Sequence, residues 1–141
     1  MTFQHMVVPY EGGALSEDAL RIACHLVLDE SRITAVYVVP VSKDMPVGAE
    51  KPQEETARET LERAQAVGRE LGVDVETYVA KAPEVAEGVN ETAATLMADA
   101  IVMSLRHRHT REETMVLSHT ASRILRNAPC SVVITYRRDE D

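Results

Sequence analysis

Short apolar runs alternate with amphipathic stretches along almost the whole chain. Met6-Val-Val-Pro9 is apolar and stops at Glu11-Gly-Gly13, where paired glycines permit the positive φ angles of a tight strand-to-helix turn. From Ser16 to Leu28, Ala19, Ile22, Ala23, Leu26 and Val27 recur at i, i+3, i+4, i+7 and i+8, the stripe of a helix laid on a sheet. Ile33 to Val39 is rich in β-branched residues and predicts a second strand, and Pro40 through Pro52 predicts a loop. Glu54 to Leu71 places Ala57, Leu61, Ala64, Val67 and Leu71 on one helical face and stops at Gly72, a natural C′ residue. Val73 to Val79 alternates with period two, which predicts a strand near a sheet edge. A third helix over Pro83 to Met97 then delivers Ala100 to Met103 as a fully apolar, central strand. The basic loop Leu105-Arg-His-Arg-His-Thr-Arg111 leads into a fourth helix starting near Thr110 and marked by Leu117, Ala121, Ile124, Leu125 and Ala128. Pro129 closes that helix before the apolar run Ser131-Val-Val-Ile-Thr135.

Strands alternating with helices in this way predict an α/β fold, an open parallel five-stranded sheet with right-handed crossovers and helices on both faces. Such sheets bind ligands where strands end and helices begin. The end of the fourth strand is therefore where chemistry is expected.

Composition narrows the partners. At 141 residues and 45% apolar content the chain fits one domain, residues 1–141, with a single core. Fifteen Lys and Arg against 23 Asp and Glu leave a net charge of −8, which disfavours nucleic acid and anionic membrane as general partners. No run of about 18 apolar residues and no leader-like pattern at the N-terminus is present, so a soluble, cytoplasmic protein is expected. Cys24 on a predicted helix face and Cys130 in a turn read as small hydrophobes rather than a disulfide or metal pair.

Against this acidic background the loop concentrates Arg106, Arg108 and Arg111 with His107 and His109. Thr110-Arg-Glu-Glu113 fits a capping box, and a helix N-terminus beside guanidinium groups suits a phosphate. A solvated loop whose arginines balance Glu112 and Glu113 explains the same residues. His107, His109 and His119 have spacing that a divalent metal can use, yet no carboxylate or thiolate converges on them, and no metal is expected. Phosphate-loop, dinucleotide, nucleophile-elbow and zincin signatures are all missing, so no enzyme is expected.

Several segments together resemble the universal stress protein family. Val7-Val-Pro-Tyr-Glu-Gly12 is similar to its opening Val-Pro-x-Asp-Gly, and Ser16-Glu-Asp-Ala-Leu20 to the Ser-Glu-x-Ala-Leu that follows. Ala35-Val-Tyr-Val-Val39, Ala98-Asp-Ala-Ile-Val-Met103 and Ala121-Ser-Arg-Ile-Leu-Arg-Asn-Ala-Pro-Cys130 resemble its second strand, the strand before the nucleotide loop and the closing helix. The resemblance implies a Rossmann-like nucleotide-binding domain with strand order 3-2-1-4-5, a homodimer built partly through the last strand, and a stress-related role without established catalysis.

Nucleotide binding in that family tracks G-x2-G-x9-G-[ST] after the fourth strand. Here Ser104 and His107 stand at the first two glycine positions, and Ser118-His119 at the terminal pair with one extra residue between. If each replaced glycine sat in a left-handed conformation, its side chain would cost ~1–2 kcal/mol, and three such costs weaken binding roughly a hundredfold to ten-thousandfold. Glu11 also stands where the family has Asp, lengthening the side chain near the expected adenine. Three readings stand: a regulatory dimer without strong ATP binding; a sensor of an ATP- or AMP-type nucleotide or other phosphate ligand; and, with least support, a histidine-based metal-dependent enzyme. For the second, the candidate contacts are Pro9, Glu11, Val38, Met103, Ser104, Arg106, His107, Arg108, Ser118, His119 and Thr120.

Overall fold

A sheet with an apolar helix layer on each face organises the computed structural model, which describes residues 3–107 and 118–138. The strands are β1 (His5–Pro9), β2 (Arg32–Pro40), β3 (Glu76–Ala82), β4 (Ala100–His107) and β5 (Ser131–Arg138). Between them lie α1 (Ala14–Leu26), α2 (Lys51–Glu70), α3 (Val85–Thr95) and α4 (His119–Asn127). The order is β3-β2-β1-β4-β5 and every pairing is parallel, as the sequence and its family resemblance imply.

Successive side chains of a strand point to opposite faces. Met6 and Val8 accordingly join Leu20, Ala23, Leu61 and Ala64 under α1 and α2, whereas Val7 joins Val89, Ala93, Ala121 and Ile124 under α3 and α4. Because both faces are covered, the inner strands carry no polar alternation and read as continuous apolar runs.

The elements differ from their predicted forms in instructive ways. α1 begins at Ala14, and its buried seam is Ser16, Ala19, Leu20, Ala23 and Cys24, an equally regular stripe displaced from the predicted one. Ile22 and Leu26 are left 37% and 43% exposed. The small residues of the observed seam let the helix lie close to the strands. α2 begins before the predicted start, with Pro52 in its first turn, where a missing N–H costs nothing because it would have had no helical partner. β3 starts at Glu76 rather than Val73, since Val73 N–H donates to the Gly68 carbonyl at 2.8 Å and so belongs to the end of α2. β4 continues through Leu105, Arg106 and His107, residues predicted to be loop. The capping box at Thr110–Glu113 and the position of Leu117 lie outside the described residues.

Gly68 fixes how α2 meets β3. A Cβ there would lie 2.4 Å from Val75 Cγ2 and 2.7 Å from the Val73 carbonyl oxygen, a backbone atom of the residue whose N–H is bonded to Gly68 itself. Alanine is the better helix former by about 1 kcal/mol. Gly68→Ala is nonetheless expected to destabilise the fold by about 1–3 kcal/mol through overpacking, read as a lower urea midpoint.

Candidate functional site

Three strand ends and the first turns of four helices surround a cleft of about 740 Å³. β1 stops at Pro9, after which Tyr10 N–H donates to the Val36 carbonyl at 2.7 Å and Glu11 N–H donates to Ser16 Oγ at 3.2 Å. The chain then reverses through Gly12 and Gly13, with φ near 90° at both, a conformation that strains other residues. Gly13 is the N-cap of α1 and offers no side-chain cap, so the first amides of the helix face the cleft region without a hydroxyl or carboxylate cap. Opposite it, Ser118 caps α4, its Oγ accepting from Ala121 N–H at 3.1 Å. Both helix starts carry a partial positive charge, which suits an anion.

Of the residues anticipated from sequence, the structure brings Pro9, Glu11, Val38, Met103, Ser104, Ser118 and Thr120 together in the lining. His119 is exposed and does not line the cleft, although its neighbour Thr120 does, because adjacent helical residues point about 100° apart. Arg106 and His107 lie in β4 by their backbone, but their side chains, like the whole of Arg108 and His109, fall outside the described residues. Among the described residues no group of His, Cys, Asp or Glu is arranged to hold a metal.

Beyond Val38 and Met103, the apolar wall was not anticipated from the sequence. Val85 and Val89 on α3 and Ile124 on α4 line the cleft with Val36 on β2. Gly88 is what lets α3 come so near, since a Cβ there would lie 2.6 Å from Val38 Cγ1. A glycine one residue before a buried valine was the available signal. Gln53 also reaches the lining from the first turn of α2, whose neighbouring Glu54 pairs with Lys81 at the end of β3. Nothing in the periodicity marked it.

The substituted glycine positions carry no conformational strain. Among the described non-glycine residues only Met97 has a positive φ; Ser118 sits at φ −64°, and Ser104 and His107 are extended. The left-handed cost foreseen from sequence therefore does not arise. What changes is the use of the backbone: the β4–β5 ladder runs on from Ser104↔Thr135 to His107↔Arg138, and the Ser104 and Thr135 hydroxyls hydrogen-bond to each other. Backbone groups drawn into strand pairing are lost to a phosphate-cradling loop.

Burial pushes the Tyr10 phenol up, Glu17 adds to the effect, and Arg63 and Arg21 oppose it. Burial likewise pushes the Cys24 and Cys130 thiols up, so neither is an activated nucleophile; both are free.

A model of the universal stress protein family matches residues 2–135. A Burkholderia pseudomallei protein of that family is 27% identical, the match covering 93% of this chain and 94% of that one with a TM-score of 0.67. The Archaeoglobus fulgidus universal stress protein in complex with dAMP is 19% identical, with 95% and 98% covered and a TM-score of 0.71. An Arabidopsis thaliana family protein with AMP bound is 12% identical, with 95% and 92% covered and a TM-score of 0.67. At such identities these last two show the shared fold. No curated protein matches the sequence.

Ser118 gives the site a direct test. Ser118→Ala removes the hydroxyl that caps α4 and is expected to cost about 1 kcal/mol of stability in urea denaturation, with Ser118→Asp restoring most of it.

Proposed function

The chain belongs to the universal stress protein family, and we propose that it is a non-catalytic, cytoplasmic stress-response regulator whose cleft takes an AMP-type ligand and holds ATP weakly. The observation that carries the reading is the cleft itself: an apolar wall of Val36, Val38, Val85, Val89 and Met103 faces two helix N-termini at the ends of β1 and β4. A flat heterocycle suits such a wall and one phosphate suits the helix starts. Relatives whose structures hold dAMP and AMP support the same ligand class. ATP is disfavoured because the stretch that elsewhere in the family carries loop glycines is here the extended end of β4, so a longer phosphate chain has fewer backbone amides to meet. The arginines that the sequence concentrates at 106, 108 and 111 add positive charge that suits a phosphate.

A non-catalytic role is supported by the commitments of two of the cleft hydroxyls. Ser104 is bonded to Thr135 and Ser118 caps α4, so neither is paired with a base. A net charge of −8 argues against nucleic acid and membrane surfaces, and no helix of the described residues is long and apolar enough to cross a membrane. Free thiols suit a reducing compartment.

Assembly as a homodimer belongs to the same proposal. β5 is the last strand of the sheet, so one of its edges has no strand beside it among the described residues, and such an edge is a template for another strand. Ile134 is 38% exposed and Tyr136 48%, whereas Val132 and Val133 pack on the two cores, which makes Val133 a poor position at which to probe the interface. Two-fold antiparallel pairing of β5 with its copy closes after two chains, and the charged tail after Tyr136 discourages further stacking.

Calorimetry decides the ligand. AMP is expected to bind more tightly than ATP, and Arg106→Ala with Arg108→Ala is expected to weaken AMP about tenfold, equivalent to ~1.4 kcal/mol, while leaving adenosine unchanged. A clear rise in melting temperature at micromolar ATP overturns the weak-ATP assignment. For assembly, light scattering at tens of micromolar should give a dimer mass that Ile134→Lys reduces to the monomer's; a monomeric parent protein, or an intact Ile134→Lys dimer, removes the β5 interface.

A further inference from the structure

At the end of the sheet away from the cleft, a histidine is enclosed in the fold. His5, on the central strand β1, is 5% exposed, and its Nε2 lies 2.7 Å from Thr34 Oγ1 on β2, itself 2% exposed. The Thr34 hydroxyl lies 3.3 Å from Glu76 Oε2 on β3, and Glu76 is held in turn by Arg32 on β2 at 2.8 Å. Asp99, just before β4, accepts the Gln4 and His5 backbone amides at 2.7 and 2.9 Å. The Leu96 carbonyl, past the end of α3, faces the ring as well.

The hydroxyl of Thr34 has one proton and two neighbours that can accept it. When His5 Nε2 carries no proton, Thr34 donates to the ring and its link to Glu76 is unmade; when Nε2 is protonated, the ring donates to Thr34 Oγ1 and Thr34 donates to Glu76. We infer that His5 is a proton-operated switch, in which uptake of a proton on the ring turns the Thr34 hydroxyl from β1 toward Glu76 and completes one hydrogen-bonded chain across β1, β2 and β3. Burial, with Arg32 assisting, holds the ring neutral to lower pH than usual, while the Leu96 carbonyl, Glu76 and Asp99 pull the other way. Glu76, held first by its hydrogen bonds with Arg32, stays charged below the usual carboxylate range. Asp99 does so too: burial pulls it upward, but the amides of Gln4, His5 and Asp99 itself, together with His5, outweigh that pull. Arg32, Glu76 and Asp99 therefore keep their charges between pH 5 and 7.5, and among these partners the group that takes up the proton is His5.

The sign follows from linkage. A histidine whose folded pKa lies below its unfolded value near 6.5 contributes stability that is present above pH 6.5 and is lost as pH falls through the folded value. Nitrogen-detected NMR of the full-length protein, with melting curves from pH 7.5 to 5, tests the switch. His5 should titrate below pH 6.5 with Nε2 gaining the proton, and the melting temperature should fall as the pH is lowered across that range. Thr34→Val should make His5 titrate lower still, because the charge-assisted bond that the imidazolium loses is stronger than the one that the neutral ring loses. His5→Gln should flatten the pH dependence of melting rather than lower it uniformly. Titration of His5 at or above pH 6.5, or an unchanged titration in Thr34→Val, overturns the switch; the latter variant and the parent spectra decide the matter even if His5→Gln does not fold.

Discussion

The placement of β1 between β2 and β4 is the constraint on which the rest of the structure depends. Because β1 pairs with β2 over its whole length but with β4 only at Met6↔Ala100 and Val7↔Ile101, the sheet parts beyond Val7, and the chain leaves the two sides in different directions. One connection runs into α1 and the next crossing strand is β2; on the other side β4 leads toward α4. A crevice at that parting is a consequence of topology, independent of which side chains line it. The side chains then decide what it holds. Apolar residues that complete the core beneath, Val38 and Met103, are the same residues that floor the cleft, so binding surface and core are one layer.

Legibility from sequence followed the same division. Strand and helix identities, the parallel sheet and its polar-poor inner strands were readable because burial on both faces leaves a strong period in the chain. Helix faces were less so. α1 carries two overlapping stripes, Ala19-Ile22-Ala23-Leu26 and Ser16-Ala19-Leu20-Ala23-Cys24, and only the closeness of approach to β4 selects the second. Boundaries depended on tertiary contacts invisible to a local pattern: β3 starts late because Val73 is claimed by the end of α2. For the site, the β1 turn and the β4 end were legible as motifs, whereas Val85, Val89 and Gln53 arrive from elements whose local pattern speaks only of packing or solvation.

Replacing loop glycines has two possible physical outcomes, and the structure shows which one this chain takes for its described positions. Forcing Ser104 or His107 into a left-handed turn costs energy at each residue; continuing the strand costs nothing locally and gains pairing with β5. The chain continues the strand. The Ser104–Thr135 hydroxyl pair, impossible with glycine at 104, reinforces that choice from the side-chain layer. Ser104 and His107, which the sequence suggested as strained positions of a binding loop, are in the fold ordinary members of the sheet.

That pairing bears on assembly as well as on ligand. Each residue added to the β4–β5 ladder lengthens β5 as an ordered edge, from Ser131 out to Arg138, and a longer edge offers more backbone groups to a second strand. The backbone that Ser104 to His107 commit to β5 is thus the same backbone that keeps the outer strand ordered as far as Arg138. Ile134 on that edge, with Ile22 and Leu26 on the exposed side of α1, leaves apolar surface on both faces of the sheet beside it. An isolated exposed leucine means little, but apolar residues flanking an ordered edge on two faces gain by burial when the edge is paired, because strand addition then removes water from side chains and backbone in one step.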